Sequence, residues 1–153
     1  MMYLLSLSIG IIAGLRAMTA PAAVSWAAHL GWLKLDGTLL AFLGYTWTPW
    51  VITALALAEL VTDQLPSTPS RTVPIQFGTR IASGALSGAA LGIAGGSLVV
   101  GAILGAVGAV IGTLGGRAAR GALAEKFGND RPAAFLEDAV AIGAALLIVR
   151  AFM

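Results

Sequence analysis

Six ionisable side chains stand where an otherwise apolar sequence has little use for them: Arg16, Glu59, Asp63, Arg117, Glu137 and Asp138. An ionisable group inside a membrane is costly and marks a functional site by default. Glu59 and Asp63 are one helical turn apart and so share a face. If their helix starts at Pro49, Glu59 lies about 15 Å along it, close to a bilayer midplane. Stripped of water, a carboxyl keeps its proton to near-neutral pH and can carry it. Paired with Arg16, it stays ionised and pins helices together. Both readings stand on the sequence. Should the helix begin at Gly37, Glu59 moves to its far end and the case for a buried proton carrier weakens.

Arg16 and Arg117 occupy similar settings, Gly14-Leu15-Arg16-Ala17 and Gly115-Gly116-Arg117-Ala118. Either arginine could hold an anion beside backbone N–H groups freed at a half-helix terminus. Either could instead snorkel from a helix end to the interface. Glu137 and Asp138 fall in the first turns of the last expected helix, where carboxylates suit the helix dipole. Their adjacency lets one of them at most face the core squarely. Arg80 reads as a topology anchor at the head of a glycine-rich helix. His29, near Trp26 and Trp32, reads as a structural residue at an interface rather than a proton relay.

Other chemistries are excluded or unsupported. The chain has no cysteine and a single histidine, which removes thiolate nucleophiles, disulfides and a multi-histidine zinc site within one chain. Gly105-Ala106-Val107-Gly108 is no dinucleotide fingerprint, because no strand precedes it and no acidic ribose partner fits. No Ser-His-Asp arrangement stands out. The basic residues are dispersed between apolar runs, so no nucleic-acid footprint is present. The expectation is a protein that is not an enzyme, with no metal and no cofactor.

The elements that must position these residues follow from composition. Charged residues make up 10% of the chain against roughly 25% in a soluble domain, and mean hydropathy is +0.91, so lipid is the expected solvent. The pattern predicts an all-α, polytopic integral membrane protein: one transmembrane domain over residues 1–153 with about five glycine-rich crossings. Met1–Leu15 lacks the positive segment of a secretory signal and reads as a retained first helix. Met18–Trp32 is short and carries Pro21, which predicts a broken segment after Arg16. That leaves two short helices, or one crossing and a re-entrant half-helix. Tyr45, Trp47 and Trp50 resemble an interfacial aromatic belt. Thr48-Pro49 predicts a helix start, running to about Leu65. Pro66, Pro69 and Pro74 predict an extended loop holding Arg71 and ending at Arg80. Ile81–Gly116 carries no charge and is far too long for one crossing, at roughly 54 Å as a single helix. It divides at Gly95-Gly96-Ser97. Residues 115–131 read as a polar segment, and Asp130 and Pro132 open a last helix ending near Arg150.

The glycines of the long apolar stretch mark helix faces. Gly84, Gly88, Gly92 and Gly96 fall four apart, as do Gly101 and Gly105, and Gly108 and Gly112. Faces without side chains let backbones approach closely, either within the chain or as the seam of a homo-oligomer. Basic residues concentrate in 66–80 and 115–131, two crossings apart, which makes that side cytoplasmic and the C-terminus external. The side of the N-terminus depends on whether 18–33 crosses. The recurring Gly-x-Arg-Ala, followed in each case by a proline-initiated helix, also suggests inverted half-repeats over 1–65 and 98–153, with a site at the breaks. Chance recurrence in a chain rich in glycine and alanine explains it equally simply.

Ala13-Gly14-Leu15-Arg16-Ala17, the helix ending His29-Leu30-Gly31-Trp32, and Ala58-Glu59-Leu60 with Asp63 and Leu65-Pro66 together resemble a family of bacterial membrane proteins, the domain of unknown function DUF4126. Its members look alike in a Gly-Leu-Arg-Ala opening, a helix with Glu and Asp before Leu/Ile-Pro, and a following glycine-rich helix, here Arg80-Ile81 to Gly92. The likeness is closest over residues 10–95. Met18-Thr19-Ala20-Pro21 departs from the family's more apolar pattern, which points to a sharper break in this chain. The resemblance implies a membrane fold in a bacterial inner membrane and brings no activity with it. The expected function is a small transporter or channel for a small solute or ion, proton-coupled through Glu59. Its polar site lies between the Arg16 break and the Glu59/Asp63 face. The alternative is a non-catalytic scaffold or lipid-interacting protein. Expected partners are the lipid bilayer, a small solute or ion, and further copies of the chain. Transport predicts a water-accessible cavity reaching Glu59 and Arg16; scaffolding predicts that these charges pair in a dry core.

Overall fold

The computed structural model describes residues 1–65, 70 and 72–153. Pro66, Pro69 and Arg71, expected in an extended loop, lie outside the described residues. Those described form α-helices and no strand: α1 (Met2–Leu15), α2 (Thr19–His29), a 3₁₀ turn (Ala41–Gly44), α3 (Thr48–Thr62), α4 (Pro74–Ala94), α5 (Leu98–Phe127) and α6 (Asp130–Arg150). α5 and α6 are long and apolar enough to cross a membrane.

Proline and glycine set most of the boundaries. Pro49 and Pro74 sit in the first turns of α3 and α4, where the missing N–H is not needed. Between α4 and α5 the chain turns at Gly96, whose φ of +92° suits glycine. Gly96 therefore serves the turn and not the packing face on which its spacing places it. The Ser97 hydroxyl then caps α5 by accepting the Val100 N–H at 3.3 Å. The Asn129 side chain caps α6 by accepting the Arg131 N–H at 3.1 Å.

Two boundaries differ from the sequence expectation. α4 begins at Pro74, so Arg80 lies inside it and not at the end of a loop. α5 runs unbroken through Gly115, Gly116 and Arg117 to Phe127. Alanine, leucine, glutamate and lysine come after that Gly-x-Arg-Ala, and no proline intervenes before Pro132, so good helix formers outweigh two glycines. After Arg16 the opposite holds. A continuing helix would need the N–H of residue 21 to bond the Ala17 carbonyl, and Pro21 has none and would clash with that carbonyl. Arg16 is accordingly extended, at φ −141° and ψ 112°. The two Gly-x-Arg-Ala segments thus do not share a break.

Contacts fix the helix directions. Tyr3 Oη donates to the Gly95 carbonyl at 3.0 Å and Ser6 Oγ to that of Gly88 at 3.1 Å, so α1 runs antiparallel to α4. Trp26 Nε1 donates to Thr53 Oγ1 at 2.9 Å, while the Met18 N–H donates to Glu59 at 2.8 Å, so α2 runs antiparallel to α3. Both α1 and α3 therefore run toward Arg16, and α2 runs away from it. α1 and α2 form a hairpin with Arg16 at its vertex.

The closest packing joins α1, α4 and α5. A Cβ placed on Gly84 would fall 2.5 Å from the Gly105 carbonyl oxygen, and one on Gly92 would fall 2.6 Å from the Gly101 Cα. Added to Gly88 or Gly105, it would meet the backbone of the facing helix. Gly108 and Gly112 face the backbone of α1 around Leu7 and Ile11. These faces, open on sequence to another copy, are filled within the chain.

The bundle shows many large apolar side chains outside, and its interior mixes others, such as Ile9, Leu33, Leu43 and Leu91, with small, polar and charged ones. Val51, Leu57 and Val61 of α3, Ile103 and Ile111 of α5, and Val140 and Leu147 of α6 are exposed. Alanines, serines, Thr113 and two arginines, Arg16 and Arg80, are buried.

Candidate functional site

The hairpin vertex leaves two sets of backbone groups without helical partners: the last carbonyls of α1 and the first N–H groups of α2. Side chains from other helices take both. Arg80 of α4 donates from Nη1 to the carbonyls of Gly14, at 2.8 Å, and Leu15, at 2.7 Å. Thr113 Oγ1 of α5 adds a bond to the Gly14 carbonyl at 3.3 Å. Ser83 Oγ donates to the Ala17 carbonyl, the group that Pro21 cannot serve. On the other side, Glu59 of α3 accepts the Ala17 N–H at 2.7 Å and the Met18 N–H at 2.8 Å, one on each carboxylate oxygen. A cation thus sits at a helix C-terminus and an anion at a helix N-terminus, each against the favourable end of the dipole.

Arg16 itself turns away from its own backbone into the carboxylates. Its side chain has no exposed surface. Nη1 pairs with Asp63, Nε donates to Asp138 Oδ1 at 2.6 Å, and Nη2 pairs with that oxygen and lies 3.7 Å from Glu137. Gln64 Nε2 donates to the second oxygen of Asp138 at 3.3 Å. Arg80 Nη2 stands 3.8 Å from both Glu59 and Asp63, which joins the two arginines into one network. A buried charge without a partner is far costlier than a paired one, so these groups depend on one another.

Of the residues singled out in the sequence, Arg16, Glu59, Asp63, Glu137 and Asp138 meet at this vertex. Arg117 does not: it is exposed on α5 and donates to Thr72 Oγ1 at 3.2 Å. Without a break beside it, no freed backbone draws its side chain inward. Glu137 and Asp138 both reach the network despite their adjacency, Glu137 also receiving Arg120 Nη1 at 3.4 Å. Arg80, Gln64, Ser83, Thr113 and Arg120 were not legible as members. His29 stands apart, its Nδ1 3.2 Å from the Gly44 carbonyl oxygen and its ring edge-on to Trp26. Among the described residues no group of three His, Cys, Asp or Glu side chains could hold a metal ion.

Among the described residues the network borders a cleft on its Glu59 and Asp63 side and a smaller one on its Arg120 and Glu137 side. A cleft of about 390 Å³ is lined by Met18, Leu55, Ala58, Glu59, Thr62, Asp63 and Gln76. Glu59 and Asp63 form its charged wall. On the opposite side of α3 an apolar fissure of about 220 Å³ is lined by α2, α3 and Ile142, Ala145 and Leu146 of α6.

Fold and site together define an all-helical protein with a buried ion-pair network built around a helix break, and with helices suited to a membrane. The chain belongs to the family described as "Domain of unknown function (DUF4126)", whose pattern matches residues 3–151, nearly the whole chain. No curated protein and no solved structure matches it.

Proposed function

We propose that this is a multi-pass protein of a bacterial cytoplasmic membrane that moves a small ion or solute past the hairpin vertex, with Glu59 and Asp63 as the groups that take up the ion or a coupled proton. The outward apolar residues of α3, α5 and α6 support the membrane setting. On this reading α3, α4, α5 and α6 carry the chain across, and α1–α2 is a re-entrant hairpin. α1 is about 21 Å long, α2 about 16 Å and α3 about 22 Å, so length does not single out α1; α1 and α2 are assigned to the re-entrant hairpin because they turn back on each other at the buried Arg16. The chain then crosses four times, one fewer than the spacing of apolar runs suggests. Both termini are external, and the end of α3, the start of α4 and the α5–α6 connection are cytoplasmic.

One observation carries the transport reading. Glu59, which caps the re-entrant half-helix, also lines the open cleft. An ionisable group tied to a helix break and reachable from a cavity is the arrangement of a transport site. A second reading, a non-catalytic scaffold or lipid-interacting protein, draws on the complete burial of Arg16 and its pairing with Asp63 and Asp138.

A thermal-stability screen of the purified protein across pH, ions and small metabolites separates the two. A ligand that binds the folded state raises apparent stability. The transport reading expects one compound to stabilise wild type but not Glu59→Gln, and to cross proteoliposomes only with wild type. If nothing in the panel stabilises wild type and Glu59→Gln melts earlier at every pH, Glu59 is structural and the scaffold reading takes over.

A further inference from the structure

α3 differs from its neighbours in how it is held. Its outer half packs against α2 and the 3₁₀ turn, the elements to which its backbone lies closest among the described residues. There Trp26 clasps it, bonding Thr53 and stacking edge-on against Trp50 at 5.0 Å. Its inner half stands between two openings, the apolar fissure toward α6 and the charged cleft toward Gln76 of α4. Leu55, Leu57 and Val61 are exposed there, and Ala56 is the buried residue of that half. What spans the openings is polar. Glu59 reaches the Ala17 and Met18 amides, Asp63 reaches Arg16, and Gln64 reaches Asp138.

We propose that α3 is a gate, hinged at its Trp26–Trp50–Thr53 end and latched at the vertex by Glu59 and Asp63, and that neutralising these carboxylates swings its inner end away from the hairpin. The physical reason lies in the two kinds of contact. The outer contacts are ring-to-ring and a hydrogen bond between neutral groups, and do not change with charge. The latch contacts are charge-assisted and lose much of their strength when the carboxylate becomes neutral. A protonated Glu59 can still accept from one amide but not hold both as an anion does. Glu59 faces Arg80 on α4 and Asp63 just past the end of α3; Asp63 in turn faces Arg80 and Arg16, and Arg16 faces Glu137 and Asp138 on α6. Because the cleft already reaches Glu59 and Asp63, a proton or a cation can arrive there before the latch opens. Opening joins the cleft to the fissure and uncovers Arg16 and Arg80. The gate rests on the transport reading only for what it admits; the hinge and latch stand on the contacts.

The absence of cysteine makes the test direct, since spin labels attach only where cysteines are introduced. One doubly labelled protein carries Val61→Cys and Leu114→Cys, exposed residues near the latch end. Another carries Val51→Cys and Ile103→Cys, exposed residues nearer the hinge end. Pulsed electron–electron distances are read in lipid nanodiscs at neutral and acid pH, with and without Glu59→Gln and Asp63→Asn. The gate predicts that acid or either substitution shifts the inner pair to longer distances and leaves the outer pair in place. An inner pair that stays put under every condition overturns it, as does an outer pair that shifts by the same amount, since α3 then moves without a hinge. Should a substitution prevent folding, the acid titration in the otherwise wild-type background gives the same reading. Transport is scored separately. Inner-end motion with no flux of any screened compound leaves the gate and removes the transport reading. Flux with an unmoved inner end does the reverse.

Discussion

Arg80 donates to the Gly14 carbonyl across 66 residues of sequence, closing the end of a helix to which it does not belong. The same guanidinium faces Glu59 and Asp63. Removing it leaves two helix-end carbonyls and two carboxylates short of a partner at a site where Arg80 is 2% exposed. Breaking a buried pair from one side costs about 3–5 kcal/mol. Arg80→Ala is therefore expected to melt far below wild type in detergent, or to fail to accumulate. Arg80→Lys keeps the charge but not the planar fork, and should fall between them. A melting temperature for Arg80→Ala equal to wild type would show that the vertex does not need its cation.

Gly105 and Gly115 lie on one helix and predict opposite outcomes. A Cβ on Gly105 would fall 2.9 Å from the Gly88 Cα, backbone that cannot swing aside, whereas nothing stands within 4 Å of Gly115. Gly105→Ala should force α4 and α5 apart and lower stability by more than the usual small effect of a core change. Gly115→Ala should raise it by about 0.5–1 kcal/mol, since alanine loses less backbone freedom in a helix interior. Thermal melts of the two proteins side by side decide it, and equal shifts would contradict the packing described.

The two arginines that come after glycine should also part company. Arg117 is exposed and bonds a threonine hydroxyl, an interaction of the kind worth about 0–1 kcal/mol at a surface. Arg117→Ala is expected to leave melting and any transport close to wild type. Among the described residues, Arg16→Ala leaves Asp63 only the more distant Arg80 and Asp138 only Gln64, and should destabilise the vertex strongly. A charge-conserving exchange, Arg16→Lys, recovers part of the loss if charge matters more than geometry, and little if the convergence of Nε and Nη2 on Asp138 is what counts.

Membrane sidedness gives a fourth outcome. Leu39 and Met153 are exposed on the side toward which α2 and α6 run, and Val73 and Phe127 on the other. An impermeant thiol reagent applied to intact spheroplasts should label Leu39→Cys and Met153→Cys. It should reach Val73→Cys and Phe127→Cys only after lysis. Labelling of Leu39→Cys and Met153→Cys on opposite sides would mean that one of α3, α4, α5 and α6, the helices between them, does not cross.

Much of the helical plan was legible because proline, glycine and capping residues write it locally. Pro49, the Gly95-Gly96-Ser97 turn and the Asn129 to Pro132 start each name a boundary from neighbouring residues. The break after Arg16 was legible for the same reason, through Pro21. The unbroken course of α5 was not, since Arg117 stands in nearly the same tetrapeptide and the difference lies in the helix-forming residues on its C-terminal side. Arg80 was read as an anchor because its partners at Gly14 and Leu15 are distant in sequence, and no local pattern marks an arginine that caps another helix. Glu59 and Asp63 could be found as charges in an apolar helix. That Glu59 would hold the Ala17 and Met18 amides, and not meet Arg16 directly, depended on how α2 and α3 lie side by side.

The pairing of Arg16 with Asp138 spans 122 residues. During synthesis at about 5–20 residues per second, the arginine is made roughly 6–24 s before its last carboxylate partner exists. Asp63, made 47 residues after Arg16, can meet the cation first, so the tip of the α1–α2 hairpin is neutralised in part by the end of α3 and fully only by α6. On the membrane reading, a chain that stops short of α6 leaves that tip without its Asp138 and Glu137 partners and should be recognised as incomplete.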